Sequence, residues 1–153
     1  MFRLYSKGCE YVIRALAQVN AAGNGKCFSV KEICKKADLP EWYTRKVFQS
    51  LAHHGFLSAS RGPGGGYCFK VSPGKISVLS VIQAIDGKDV LDQCVMGSGK
   101  CKDRKPCPLH GKWIKIKAGL ITELKSVTIQ ELIGSMIHYG KRKTNSKEED
   151  LKK

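Results

Sequence analysis

A glycine-rich turn stands between two alternating segments at residues 56–71, which read Phe-Leu-Ser-Ala-Ser-Arg-Gly-Pro-Gly-Gly-Gly-Tyr-Cys-Phe-Lys-Val. The flanks, residues 56–60 and 67–71, alternate in the manner of strands. The composition of residues 61–66 is typical of a turn. The stretch therefore predicts a β-hairpin with Arg61 at its tip. A phosphate-binding loop would need a following helix and a Lys-Ser/Thr pair, whereas a strand follows here.

Three helices are predicted ahead of this hairpin. The first has Ser6 as its N-cap and carries an apolar stripe to about Ala22. The second begins at the capping box Ser29-Val-Lys-Glu32. The third follows Asp38-Leu-Pro-Glu41, where Asp38 is expected to cap the helix and the proline to stand in its first turn. Two short helices joined by a tight turn, then a hairpin, predict a winged helix-turn-helix: a mainly α fold with a small β-hairpin.

The second half of the chain is also predicted to be helical. A fourth helix ends at Asp86-Gly87, and after a cysteine-rich loop a helix of about 20 residues begins near Trp113. Because only the loop is expected to join this helix to the winged domain, its apolar face is predicted to pack on a second copy of the chain. The capping box Thr128-Ile-Gln-Glu131 starts a short final helix through Met136.

These elements divide the chain into four parts. They are a winged helix-turn-helix DNA-binding domain (1–87), a cysteine-rich loop (88–111), a dimerisation helix with the short terminal helix (112–138), and a polar tail expected to be disordered (139–153).

The composition favours a polyanionic partner. Lys and Arg number 27 against 13 Asp and Glu, for a formal charge of +14, which is typical of nucleic-acid-binding proteins. No run of roughly 18 apolar residues is present, and charged residues interrupt the N-terminal segment, unlike a secretory signal. We therefore expect a cytoplasmic protein whose seven cysteines are reduced thiols or ligands rather than disulfides.

Four soft ligands are concentrated in one loop. Cys94, Cys101, Cys107 and His110 fall within 17 residues. Thiolates suit iron–sulfur clusters, and the six and five residues between the cysteines are looser than a zinc knuckle. The loop predicts a cluster held by the three cysteines, with zinc or metal-free thiol redox chemistry as alternatives. Four basic residues of the loop are expected to offset cluster charge and lower thiol pKa values: Lys100, Lys102, Arg104 and Lys105. The stretch from Lys102 to Lys105 is alternatively expected to meet DNA phosphate.

Several of these motifs together resemble the IscR/NsrR-type family of bacterial winged helix-turn-helix regulators. The resemblance covers residues 2–138 and is carried by residues 6–16 (Ser-Lys-Gly-Cys-Glu-Tyr-Val-Ile-Arg-Ala-Leu), the hairpin signature at 57–67, the Ile-Gln-Ala-Ile-Asp-Gly ending at 82–87 and the three-cysteine loop. It implies a homodimeric repressor or activator whose DNA affinity depends on an iron–sulfur cluster, 2Fe-2S favoured and 4Fe-4S as the alternative.

The resemblance also bears on the fourth cluster ligand. His110 lies three residues after Cys107, where the resembling cluster-status regulator uses a histidine, and we favour it. Glu10 is the alternative, because NO-sensing relatives place an Asp near this position, supplied by the partner subunit's first helix. Cys9 is less favoured. Cys27, Cys34 and Cys68 are expected to be buried as small hydrophobes.

The third helix is expected to read DNA in the major groove. Its candidate base contacts are Glu41, Trp42, Thr44, Arg45 and Lys46. Glu41 can accept from cytosine N4, Arg45 can donate to guanine, and Trp42 or the Thr44 methyl can touch a thymine methyl. Tyr43 is expected to be mostly buried.

The remaining DNA contacts are expected from the hairpin and the second helix. Arg61 suits a narrow minor groove, and neighbouring glycines such as Gly64 permit close backbone approach. Lys31, Lys35 and Lys7 are expected to meet phosphates, and a dimer would read an inverted repeat.

Two other classes of function stay open. One is an electron-transfer protein whose cluster works without DNA. The other is a cluster-free regulator of the same fold controlled by a metabolite or a partner protein. No catalytic arrangement can be nominated, so an enzyme is not expected, and His53 and His54 are expected to cap the third helix.

Overall fold

The fold is mainly helical, with one small sheet. The computed structural model of the chain describes residues 3–19, 27–62, 66–97, 99–101, 104–133 and 135. The elements in chain order are α1 (Lys7–Ala17), β1 (Cys27–Phe28), α2 (Val30–Ala37), α3 (Glu41–His53), β2 (Leu57–Ser60), β3 (Gly66–Phe69), α4 (Val78–Asp86) and α5 (His110–Ser126). The strands form an antiparallel sheet in the order β1–β3–β2. The predicted fold class is confirmed. Gly64, Lys102, Met136 and the tail 139–153 lie outside the described residues.

Three of the sequence signals for helix starts are confirmed. Ser6 Oγ accepts the N–H of Cys9 at 3.1 Å, and Ser29 Oγ accepts that of Glu32 at 3.4 Å. Thr128 and Glu131 form a reciprocal capping box, in which each backbone N–H donates to the other residue's side chain. These bonds satisfy N–H groups that have no partner within the first helical turn.

Asp38 has a different role from the predicted one. It ends α2 in the left-handed conformation, with φ of 52°, and its neighbour Leu39 donates its N–H to the carbonyl of Cys34. Pro40, not Asp38, occupies the N-cap position of α3. Asp reaches the left-handed region at lower cost than most residues, so it can make the tight turn between α2 and α3.

The core centres on Phe48 of α3. Its ring is fully buried, stacks on Tyr67 of β3 at a centroid distance of 5.5 Å and meets Phe28 of β1 at 5.9 Å. Thr44 and Leu51, one turn to either side on the same face, are also buried. Helix α3 is therefore fixed directly to the sheet.

The C-terminal segment is anchored in the same core, so the expectation that only the loop joins it to the winged domain is wrong. Ile129 and Ile133 are buried within the main cluster. Ile129 donates its N–H to the Ile76 carbonyl at 2.8 Å, and Val78 donates to the Val127 carbonyl at 2.9 Å. Helix α5 packs along α4 between these anchors and the loop.

Helix α5 itself buries none of its residues completely. Trp113, Leu120 and Leu124 are half-buried on the side facing the body of the protein. Ile116, predicted to lie on the same apolar face, is instead 62% exposed. Among the described helices, none is long and apolar enough to cross a membrane.

Two cysteines contradict the sequence-based expectation. Cys27 of β1 and Cys68 of β3 form a disulfide, and Cys27 is exposed rather than buried. Cys34 is buried as expected, and Cys9, for which no burial was predicted, is also buried. Sequence reasoning missed the pair because β1 contains only two residues and gives no periodic signal.

Candidate functional site

The N-terminal half of α3 presents an aromatic and charged surface. Trp42 is 77% exposed, and Lys46 Nζ lies over its ring at 5.9 Å from the centroid. Arg45 donates to Glu41 Oε1 at 2.7 Å, one turn along the helix. On this face, the indole can make apolar contact with a base, the carboxylate can accept a hydrogen bond from a base edge, and the two cationic groups can donate to one.

The structure exchanges the expected roles of two residues in the first turn of α3, Tyr43 and Thr44. Thr44 is fully buried, so its methyl group cannot touch a thymine in this conformation, and the expectation of a base contact is wrong. Tyr43, expected to be mostly buried, is 38% exposed and meets the Tyr11 ring edge-on at 6.0 Å. Adjacent helical residues point about 100° apart, so a modest rotation of α3 decides which of the two faces the core.

The outlying basic residues are available to a polyanion. Lys31 and Lys35 are exposed on α2, and Arg61 is exposed where β2 ends. Lys7, also expected to meet phosphate, bonds Glu10 at 2.9 Å and lies over the Tyr11 ring.

A groove of about 600 Å³ lies beside this surface, between α3, the start of α1 and the end of α4. Its lining includes Tyr43, Lys46, His53 and Asp86. His54 is the C-cap residue of α3, and its Nδ1 donates to the Ser50 carbonyl at 2.8 Å. The expected capping role is therefore confirmed for His54.

The cysteine loop folds back on itself between α4 and α5. Cys94 donates its N–H to the Gly99 carbonyl at 2.6 Å, and Cys101 donates to the Asp92 carbonyl at 3.4 Å. A ladder pairing of Gln93 with Lys100 completes the turn. These backbone bonds bring the side chains of Cys94 and Cys101 together although six residues separate them in sequence.

The two thiols interact directly. The side chains of Cys94 and Cys101 are hydrogen-bonded, and Cys107 is near enough for its charge to act on Cys101. Burial raises the pKa of the Cys101 thiol, and the hydrogen bond and charge of Cys94 raise it further, while Lys117 opposes them. The expectation that basic loop residues lower the thiol pKa is wrong for Cys101.

Cys107 and His110 lie where the loop enters α5. Cys107 is exposed, and its carbonyl accepts the N–H of His110 at 2.9 Å. His110 is half-buried at the first position of the helix. Within the part of the chain that the structure describes, no three His, Cys, Asp or Glu side chains are grouped closely enough to hold a single metal ion. The thiols converge without forming a closed single-ion site.

Glu10, the alternative fourth ligand, is engaged on its own helix. It accepts from Lys7 at 2.9 Å and lies 3.7 Å from Arg14. The hydrogen bond from Lys7, helped by the charges of Lys7 and Arg14, lowers the pKa of its carboxyl group. The structure does not bring Glu10 together with the loop of the same chain.

Sequence reasoning missed two side chains that support the loop. Trp113 donates its indole N–H to the Gln93 carbonyl at 3.0 Å. Lys117 lies 3.9 Å from Asp92, with a side chain only 12% exposed. Both stand on the inner face of α5, and their spacing of four residues was the available signal.

The charged loop residues also have specific partners. Lys100 donates to Asp89 Oδ2 at 2.6 Å, which raises the pKa of Lys100 and lowers that of Asp89. Lys100 therefore closes the loop by pairing with Asp89, whereas the sequence predicted that it offsets cluster charge. Arg104 and Lys105 are exposed.

The family model for Rrf2, an iron-dependent transcriptional regulator, matches residues 5–135. That match spans most of the chain. The chain belongs to the Rrf2 family. The IscR regulator of Citrobacter koseri, an HTH-type transcriptional regulator, is 30% identical over 133 residues, covering 87% of this chain and 80% of that protein. The predicted IscR-type resemblance is thus confirmed at family level.

Solved structures share the Rrf2 fold. CymR (YrzC), the global cysteine regulator of B. subtilis, matches with a TM-score of 0.68 at 22% identity, over 88% of this chain and 98% of that one. IscR of T. potens matches with a TM-score of 0.64 at 23% identity, over 86% of each chain. Like its relatives in the Rrf2 family, this chain is a DNA-binding transcriptional regulator and not an enzyme.

Proposed function

We propose that this Rrf2-family regulator binds an inverted-repeat promoter site as a cytoplasmic homodimer, and that an iron–sulfur cluster controls this binding. Cys94, Cys101 and Cys107 are the proposed cluster ligands. The observation that carries the proposal is the folding of the loop, which joins the thiols of Cys94 and Cys101 by a hydrogen bond and keeps Cys107 within electrostatic range.

The donor chemistry of the loop fits such a group. Thiolate sulfur is the usual protein ligand of iron–sulfur clusters, and a cluster of several atoms needs wider ligand spacing than a single ion. Loading requires the thiols to lose their protons, and the raised pKa of Cys101 makes that loss unfavourable until iron is present. A bound cluster would supply redox or nitric-oxide sensitivity. We retain His110 as the favoured fourth ligand and Glu10 as the alternative.

The proposed DNA surface follows from the exposed residues of α3. Glu41, Trp42, Arg45 and Lys46 are the base-contact candidates, and Thr44 is removed from that set. Lys31, Lys35 and Arg61 remain candidates for phosphate or minor-groove contact, and the role of Gly64 remains a prediction. The loop connects α4 and α5, and α4 belongs to the winged core. This short connection supports a link between cluster occupancy in the loop and DNA binding by α3.

The dimer is proposed to form along α5. Ile116 is 62% exposed, although α5 also packs on α4 of its own chain. A large apolar side chain left in solvent on this long helix is the candidate contact for a second copy. Association of two copies would place two recognition helices in one assembly, as an inverted repeat requires.

The cluster assignment is tested by anaerobic purification. Wild-type protein is expected to contain iron and sulfide and to absorb visible light. Replacing Cys94, Cys101 or Cys107 by Ala should abolish that absorption, whereas the matched variant Cys34→Ala should retain it. A triple variant that still absorbs would reject the assignment. His110→Ala and Glu10→Ala, compared under the same conditions, separate the two fourth-ligand hypotheses.

The DNA surface is tested by selecting sites from a random duplex library and measuring Kd for the best site. Trp42→Ala or Arg45→Ala should each weaken selective binding by roughly 1–3 kcal/mol. Arg61→Ala should weaken binding mainly where the flanks are A·T-rich. Equal loss on all sequences would identify Arg61 as a phosphate contact instead.

A cluster-free regulator controlled by a small molecule is the second candidate. The open groove of about 600 Å³ beside α3 is where such a molecule would bind. Iron and sulfide analysis separates the two candidates. Protein that carries neither element after anaerobic purification, yet binds DNA selectively, would favour the groove.

A further inference from the structure

Cys27 and Cys68 are directly opposed across two strands of the sheet. They are register partners in the antiparallel pair β1–β3, and their sulfurs are bonded. Forty-one residues separate them in sequence. Cys27 is exposed and Cys68 is partly exposed, so small solutes can reach the bond.

The adjacent register pair ties this site to the recognition helix. Phe28 pairs with Tyr67, and both rings pack on Phe48 of α3. Side chains alternate across a sheet, so the cysteines lie on the outer face and the aromatic residues on the core face. A change in the spacing between β1 and β3 would therefore move the rings on which α3 packs.

Gly66 shows how closely the two strands approach. A Cβ at this position would overlap the carbonyl oxygen of Phe28. Gly66 is also the first residue of β3, where the chain returns from the hairpin tip. Any widening of β1 from β3 would therefore act at the tip end of the hairpin, next to the turn that carries Arg61.

The other thiols of the winged domain are unlike this pair. Cys9 is completely buried, and burial, with a smaller effect of the Asp86 charge, raises the pKa of its thiol to about 12. Cys34 is buried, and burial also raises its pKa. Since the thiolate is the reactive species in disulfide exchange, neither is suited to it.

We propose that Cys27 and Cys68 are a reversible thiol–disulfide site that controls DNA affinity independently of the cysteine loop. The oxidant is a low-molecular-mass disulfide such as oxidised glutathione. One cysteine thiolate attacks it and releases one glutathione thiolate. The second cysteine then displaces the other, forming the Cys27–Cys68 bond. The protein gives up two electrons and two protons, and two molecules of glutathione leave.

The oxidised state is the one that binds DNA more tightly. The bond holds β1 against β3 and so holds the hairpin in place relative to α3. Fixing a binding surface in its bound arrangement reduces the entropy lost on association. Reduction removes the covalent link and leaves two short backbone pairings to hold β1, which contains two residues.

The test measures Kd for a duplex selected from a random library, with full-length protein kept anaerobic. One sample is equilibrated with dithiothreitol and the other with oxidised glutathione. Mass spectrometry after alkylation reports the cross-linked peptides. We expect a Cys27–Cys68 cross-link in the oxidised sample and a Kd about 10-fold lower than in the reduced one, a ratio that corresponds to ~1.4 kcal/mol.

Variants identify the responsible thiols. Cys27→Ser and Cys68→Ser should each lose the redox response while binding DNA like reduced wild type. Cys34→Ala, the matched control in the same domain, should keep the response. Absence of the cross-link, an equal Kd in both states, or a response that survives in Cys68→Ser would each overturn the proposal. Because iron content is measured separately, failure here is distinguishable from failure of the cluster assignment.

Discussion

The winged domain and helix α5 differ in how far they bury their apolar residues. Phe48, Leu51 and Leu57 lie with almost no exposure in one core, to which α1 to α4, the sheet and the C-terminal segment after α5 all contribute. Helix α5 has 17 residues and buries none of them completely. The winged domain is therefore stabilised within one chain, whereas α5 leaves Ile116 largely exposed. We propose that a second copy of the chain covers this side chain, so that one part of the regulator reads DNA and the other associates.

The largest effect that separates the two regions should come from Phe48→Ala. This substitution removes a fully buried ring that contacts both β1 and β3, so the free energy of unfolding should fall by about 3–5 kcal/mol. Urea denaturation measures the change. The matched variant on the same helix is Trp42→Ala, which removes an exposed ring and should alter stability by less than ~0.5 kcal/mol. Similar losses for both variants would contradict a core centred on Phe48.

Ile116→Gln tests the opposite region. If α5 is the dimer interface, replacing this exposed side chain should raise the dimer Kd roughly 10- to 100-fold, because apolar burial is lost on both subunits. Sedimentation equilibrium measures the change. Lys125→Gln, an exposed substitution in the last turn of the same helix, should leave the dimer Kd unchanged. A dimer that is insensitive to Ile116→Gln would exclude this part of α5 from the interface.

Ser77→Ala tests the junction where the start of α4 meets the segment after α5. Ser77 caps α4 by accepting the N–H of Ser80 at 3.1 Å, and its backbone pairs with Thr128 beyond α5. Loss of the cap should cost about 1 kcal/mol of folding free energy, measured by urea denaturation. Ser58→Ala, at an exposed position of β2, is the control and should be nearly neutral. A cost shared equally by both variants would argue against the cap.

The smallest effect concerns the attachment of the C-terminal segment and depends on pH. Hydrogen bonds from Thr128 lower the pKa of Glu131 below its ordinary value of 4.5. A carboxyl group with a lowered folded-state pKa contributes stability above the unfolded value and loses it as pH falls through the folded value. The stability difference between wild type and Glu131→Gln should therefore be present near neutral pH and shrink below about pH 4.5. Urea denaturation at several pH values measures it, and a difference independent of pH would contradict the capping-box role.

Much of the fold was predictable because its signals are local. Capping serines, the alternating flanks of the hairpin and the apolar spacing of α1, α2 and α4 each act over a few residues. The three-cysteine loop was equally visible, since ligand type and spacing are properties of the sequence. The pairing of Cys94 with Cys101 in space followed from backbone bonds within the same loop.

Other features depend on distances that the sequence does not contain. Tyr43 and Thr44 are adjacent, and the rotation of α3 against the sheet decided which one is buried. In sequence, Asp38 could cap α3 as well as end α2. The direction in which Leu39 enters the core decided that Asp38 ends α2. The raised pKa of Cys101 arose because its nearest neighbours are Cys94 and the protein interior rather than the basic residues beside it in sequence.

The sequence by itself determined the winged helix-turn-helix, the excess positive charge and the concentration of thiols between α4 and α5. It did so because helix caps, turn residues and side-chain periodicity act between near neighbours. Only the tertiary structure decided that Cys27 meets Cys68, that α5 rests on α4 while exposing Ile116, and that the C-terminal segment joins the first core. Each of these depends on packing between residues that are distant along the chain, where many pairings are compatible with the same local pattern.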